Sequence, residues 1–179
     1  WITPLKNRLF LEVLIDDVQY MKNKPGDLEP NELGITIGLE NSLVPFIPGL
    51  EINLDYTAIT NRTYNTLLAA QKYIHKNKGM GHGLGNDFDL FNVTLSRWHL
   101  PWLKNVFSVS FERNGEGDIL LPFDTPWYDY TVEEGYSEPF PTGIVERTMT
   151  FSLETLARIN KYVSIENVID VSRVENAGN

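Results

Sequence analysis

The stretch Gly79–Phe91, GMGHGLGNDFDLF, sets glycines at 79, 81, 83 and 85 around His82 and follows them with Asp87 and Asp89. A phosphate cradle needs a Gly-rich turn that opens a helix, so that backbone N–H groups face the anion. Here acids and a strand pattern follow, with no Lys-Ser/Thr pair, and that chemistry drops out. A metal site would draw on His82, Asp87 and Asp89, with Asn86 as a further oxygen donor for calcium. Their spacing is irregular. The simpler expectation is that the glycines supply positive φ or close approach where a long loop folds back onto a rim. No metal and no cofactor is assigned.

Two other groups bear chemistry. Asp16 and Asp17 end an apolar run, with Glu12 behind them, and suggest the paired carboxylates of a glycosidase. Strand neighbours point to opposite faces, so Asp16 and Asp17 are not expected to flank one bond. Glu12 and Asp16 share a face and read as part of a polar wall. None of His75, His82 and His99 lies in a nucleophile motif. The stretch DTPWYDYTVEEGY (124–136) is the best binding candidate. Trp127, Tyr128, Tyr130 and Tyr136 offer faces for sugar rings, and Asp124 and Asp129 offer acceptors for hydroxyls. Packing of the loop onto its neighbours would use the same residues.

The elements that must position these groups are strands. Apolar residues alternate with polar ones in 7–17, 31–41, 50–60, 91–99, 106–112, 146–155 and 162–172. Leu9, Leu11, Val13 and Ile15, for example, oppose Glu12 and Asp16. Connections alternate in length: long over 18–30, 61–87 and 113–142, short near 42–49 (with Pro45 and Pro48), 100–105 (with Pro101) and 157–161. Tyr56, Trp98, Trp102 and Tyr162 fall near strand ends, where an interfacial girdle would need them. Polar faces are rich in Ser, Thr, Asn and acids and poor in Lys. The expected fold is therefore all-β: an antiparallel up-and-down transmembrane β-barrel, represented by about seven strands, most near the roughly 9–11 residues that cross a bilayer. The 179 residues suit a single domain. An even strand count is needed for closure, and the chain opens on Trp1, so it reads as an excised part of a longer barrel with strands missing. A formal net charge of -9 disfavours phosphate-rich partners, and no nucleic acid is expected. The absence of cysteine removes disulfides and thiolate chemistry.

With strands and loops laid out, LFLEVLIDDVQY (9–20), ELGITIGLE (32–40), LEINLDYTAITNRTYNT (50–66) and HGLGNDFDLFNVTLS (82–96) resemble the capsule assembly Wzi family of outer-membrane proteins. The likeness spans most of 9–175 and corresponds to the C-terminal part of that barrel. It implies a barrel of roughly eighteen strands in the cell outer membrane, in contact with outer-membrane lipid. It also implies a non-enzymatic lectin that holds capsular or extracellular polysaccharide at the cell surface. Loop 113–142 carries no motif of the family, so sugar specificity does not follow. Two alternatives use the same pattern: an outer-membrane porin or transporter for small solutes, and a soluble antiparallel β-barrel ligand-binding domain, whose apolar face would turn inward.

Overall fold

The computed structural model describes residues 7–41, 44, 47–76 and 78–177. Trp1 and Pro45 lie outside the described residues. Alternating residues form the strands β1 (Asn7–Asp17), β2 (Glu32–Asn41), β3 (Leu50–Ile59), β6 (Phe88–Leu100), β7 (Leu103–Asn114), β8 (Glu146–Arg158) and β9 (Ser164–Glu175). Between β3 and β6 lies a hairpin of two-residue strands, β4 (Ile74–His75) and β5 (Lys78–Gly79), which the period-two pattern did not reveal. The long strands form one seven-stranded sheet in the order β1-β2-β3-β6-β7-β8-β9, every pair antiparallel. β6 begins at Phe88 and β7 runs to Asn114, so this hairpin is longer than its apolar alternation suggests.

The sheet is open, and this corrects the expected closed transmembrane β-barrel. In a meander of seven strands the two edge strands run the same way, so β1 and β9 cannot close the sheet by antiparallel pairing. The outer-membrane location, the transmembrane strands and the role of holding capsular or extracellular polysaccharide at the surface all depended on closure, and are corrected with it. Period two is the same in an open sheet and a closed one, which is why it misdirected the expectation. Among the described residues no helix is long and apolar enough to cross a membrane.

The two faces of the sheet differ. Leu11, Ile15, Ile37, Phe111 and Val171 stand exposed on the apolar face. The polar face is a wall of cross-strand hydrogen bonds: Thr36 to Thr57 (3.1 Å), Asn92 Nδ2 to Asp55 (2.8 Å), Thr94 to Ser108 (3.2 Å) and Ser96 Oγ to Glu51 (2.8 Å). Two of the strand-end aromatics expected to form an interfacial girdle instead have partners on the sheet. The Tyr56 hydroxyl donates to Asp89 (3.1 Å), and the Arg158 guanidinium lies 4.7 Å from the centre of the Trp98 ring.

All three long connections leave the same end of the sheet, and the core is there. Leu28, Ile59, Phe88, Ile119 and Trp127 are buried, with Thr63, Asp87 and Pro141 fully enclosed beside them. The strands thus act as a platform that brings loop bases together over the ends of β1, β2, β3 and β6.

Register on the platform is set by size as well as polarity. Phe10 pairs with Gly38, and its ring covers the glycine so closely that a Cβ there would lie 2.2 Å from Phe10 Cζ and 3.0 Å from the Leu54 carbonyl oxygen. Gly38→Ala is expected to lower unfolding stability by about 1–3 kcal/mol through overpacking. Adding Phe10→Leu should recover part of the loss in a denaturant titration. A neutral Gly38→Ala would contradict this pairing.

Candidate functional site

Three buried polar centres organise the loop-rich end, and two of them are fully occupied. Asp87 has no exposure and a left-handed φ of +59°. Its carboxylate accepts the Thr142 N–H (2.9 Å to Oδ1), the Gly117 N–H (2.9 Å to Oδ2) and the Thr142 hydroxyl. The Asp87 carbonyl accepts from the Gly115 N–H (2.8 Å). Asp87 therefore staples the entry to β6 onto both ends of the loop between β7 and β8. Gly115 permits the approach, since a Cβ there would lie 2.1 Å from Asp87 Oδ2.

The second centre is Arg62, 3% exposed, at the exit of β3 with φ +67°. Its Nε and Nη2 donate to the two oxygens of Asp124 at 2.8 and 3.0 Å, and Nη1 donates to Glu138 at 2.5 Å. The guanidinium sits 5.1 Å from the centre of the Trp127 ring. Burial works against its charge, but the hydrogen bonds to Asp124 and Glu138 outweigh that cost, so its pKa is raised.

This knot consumes half of the expected sugar-binding set. Trp127 is 2% exposed, with Phe123 edge-on at 6.0 Å and Tyr136 at 6.3 Å. The Tyr136 hydroxyl donates to Glu138 (3.0 Å), and burial, followed by the Glu138 charge, pushes its pKa up to about 12. Asp124 is held by Arg62. Tyr128, Asp129 and Tyr130 are exposed on the loop surface, with Tyr128 stacked on Trp127 at 6.2 Å and Tyr130 against Tyr136 at 5.1 Å, so the four aromatics pack on one another.

The weak metal set is dispersed as well. Asp87 is spent on the staple. Asp89 receives Arg113 Nε at 2.8 Å, a second Arg113 nitrogen and the Tyr56 hydroxyl. The His82 ring stacks on Phe88 at 4.6 Å, and its Nδ1 accepts the Leu84 N–H at 3.2 Å; burial lowers its pKa. Among the described residues no three His, Asp or Glu side chains are placed to hold a metal ion. Of the four glycines around His82, Gly85 takes positive φ (+82°) and Gly81 is crowded by the Tyr64 ring; Gly79 and Gly83 meet neither need.

The third centre is a cleft of about 760 Å³ between the ends of β1 and β2 and the loop that follows β3. A β-bulge creates one wall. Ile15 pairs with Leu33 and Asp17 with Glu32, which leaves Asp16 as an extra residue. Alternation fails there, and Asp16 and Asp17 both line the cleft, contrary to the expectation that they face apart. Asp16 Oδ2 accepts the Tyr64 N–H (2.7 Å), and Asp17 accepts the Val18 N–H (2.8 Å) and Gln19 Nε2 (2.9 Å). The opposite wall carries Tyr64 and Tyr73, stacked at 5.5 Å with 25° between their planes.

Glu29 and Glu32 complete the acidic side. Glu32 is 5% exposed; among the described residues no donor reaches its carboxyl group, whose oxygens keep contact with the cleft. Burial, then the charges of Asp16, Glu29 and Asp17, push its pKa up to about 8; Arg62 opposes them only in part. Burial and Asp17 also raise Glu29. Sequence reasoning missed Glu29, Glu32, Tyr64 and Tyr73. The usable signal was hairpin pairing: in a meander the end of strand one lies beside the start of strand two, which brings all four acids to one corner.

No family model matches the chain, and neither a curated protein nor a solved structure does. The resemblance to the capsule assembly Wzi family therefore rests on the sequence stretches alone.

Two outcomes test the centres. Asp87→Asn should cost about 2–4 kcal/mol, since it weakens several hydrogen bonds to a buried charge, and should speed hydrogen exchange at the Thr142 and Gly117 amides; unchanged exchange would contradict the staple. Glu32 titrates at about 8 in the folded chain, well above the 4.5 of an ordinary glutamate. Its contribution is then intact below that value and lost as pH rises through about 8. Glu32→Gln should match the wild type in thermal unfolding at about pH 4 and exceed it by several degrees at about pH 9. Equal melting at both would show that Glu32 is not desolvated.

Proposed function

We propose that this chain is a non-catalytic ligand-binding module built on an open antiparallel sheet, and that the cleft beside Tyr64 and Tyr73 takes a small hydroxyl-rich ligand of the saccharide class. The ligand then sits at the loop-rich end of the sheet rather than inside a barrel.

The observation that carries it is the pairing of walls. Two stacked tyrosine rings offer apolar faces to the C–H edges of a sugar ring, and Tyr73 is 47% exposed. The same cleft is lined by four carboxyl groups, and among the described residues no donor reaches that of Glu32. Hydroxyls are the donors such a surface lacks. Asn65 and Gln71 line the same cleft and add amide donors and acceptors.

The test is a titration of the protein with a panel of monosaccharides and disaccharides, followed by tyrosine fluorescence. At least one sugar should perturb the signal, and Tyr73→Ala should weaken its binding about tenfold, which is ~1.4 kcal/mol. Tyr130→Ala, outside the cleft, should leave the affinity unchanged. Binding that survives Tyr73→Ala but is lost in Tyr130→Ala would move the site to the 124–136 loop. Release of reducing ends from the disaccharides would contradict a non-catalytic role.

A further inference from the structure

The donors available around Glu32 are few. Asp16 and Asp17 face it from β1, Glu29 from the loop that precedes β2, and Arg62 from the loop that follows β3. Of these only Arg62 is cationic, and its guanidinium is already committed to Asp124 and Glu138. The Asp16 and Asp17 carboxylates each accept a backbone N–H, and Asp17 also accepts from Gln19. Among the described residues none donates to Glu32, which is 5% exposed and lines the cleft. Its carboxyl oxygens are not among the fully enclosed, unpartnered polar atoms, so they open onto the cleft with acceptor positions that a ligand group can fill.

We infer that the ligand of this cleft carries a protonated amine and that Glu32 is its anchor, with Asp16, Asp17 and Glu29 supplying the surrounding negative field. The inference rests on the saccharide reading and narrows it to amino sugars. An ammonium brings three donors and one positive charge, which answers both the missing hydrogen bonds and the uncompensated acids. An acidic cluster alone would say little. Here the enclosed, donorless Glu32 and the aromatic wall at Tyr64 and Tyr73 are separate observations that point into the same space.

Docking changes the protonation of the anchor. Free, Glu32 holds its proton near neutrality because of its burial and its acidic neighbours. The incoming ammonium keeps all its N–H bonds, the Glu32 O–H bond breaks, the electron pair stays on the carboxylate, and the proton leaves to buffer. One amine bound below neutrality therefore releases close to one proton. Binding should tighten as pH rises from about 5.5 to 7.5, as the cost of removing that proton falls, for as long as the amine stays protonated.

The experiment compares glucosamine with N-acetylglucosamine, which has the same ring without the charge. Both are titrated calorimetrically into the protein at about pH 6.5 in two buffers of different ionisation enthalpy. Glucosamine should bind at least tenfold more tightly and release about one proton, and N-acetylglucosamine should release none. Glu32→Gln, which mimics the protonated side chain, should abolish the release and the preference while leaving the neutral sugar bound. Asp17→Asn, on the same wall, should reduce the preference about threefold without abolishing the release. Equal affinity for both sugars with no proton released would overturn the anchor while leaving the saccharide cleft intact. No binding of either sugar would overturn both.

Discussion

A carboxylate with no exposure must find its donors inside the fold, and Asp87 finds them on both ends of a loop, 30 and 55 residues further along the chain. That satisfaction of a buried charge organises the loop-rich end. It fixes where β6 begins, draws the residues after β7 and before β8 over it, and forces a left-handed backbone at Asp87 that the three bonds to its side chain compensate. Arg62 repeats the principle with opposite charge, as Asp124 and Glu138 hold it beneath the Trp127 ring. The apolar core is correspondingly located. It lies among the loops, around Leu28, Phe88, Ile119 and Trp127, while the apolar face of the strands stays exposed.

Against that background Glu32 differs from the two paired charges. Asp87 and Arg62 are enclosed and paired; Glu32 is enclosed and unpaired, in the company of Asp16, Asp17 and Glu29. Folding tolerates it because a neutral carboxylic acid is far cheaper to bury than a carboxylate, and the neighbouring charges favour the neutral form. The same tolerance leaves a corner in which hydrogen-bonding capacity is unspent. The bulge at Asp16 matters for the same reason, since it turns two successive acids toward one space and gives the cleft its charge.

Some of this was legible in the residues. Alternation of Leu9, Leu11, Val13 and Ile15 with polar neighbours located β1, and similar runs located the other long strands, because the Cβ direction reverses at each residue. Chain order and loop length placed the long connections on one side. Closure was not legible: the same alternation serves an open sheet, and strand parity decides only whether antiparallel closure is possible. The β4–β5 hairpin escaped notice because two residues carry no period. The 124–136 aromatics were read as a surface, yet composition cannot say whether a tryptophan faces solvent or a buried arginine. The acids of the cleft were visible one by one, but their convergence needed both the hairpin register and the bulge.

The most direct measurement is the ¹³C chemical shift of the Glu32 side-chain carboxyl group followed through a pH titration of the folded protein. A midpoint near 8 is expected, set by burial and by Asp16, Glu29 and Asp17. A midpoint near 4.5, the value for an unperturbed glutamate, would mean that Glu32 is solvated or already paired, and the reading of the cleft as an unfilled acceptor site would fall.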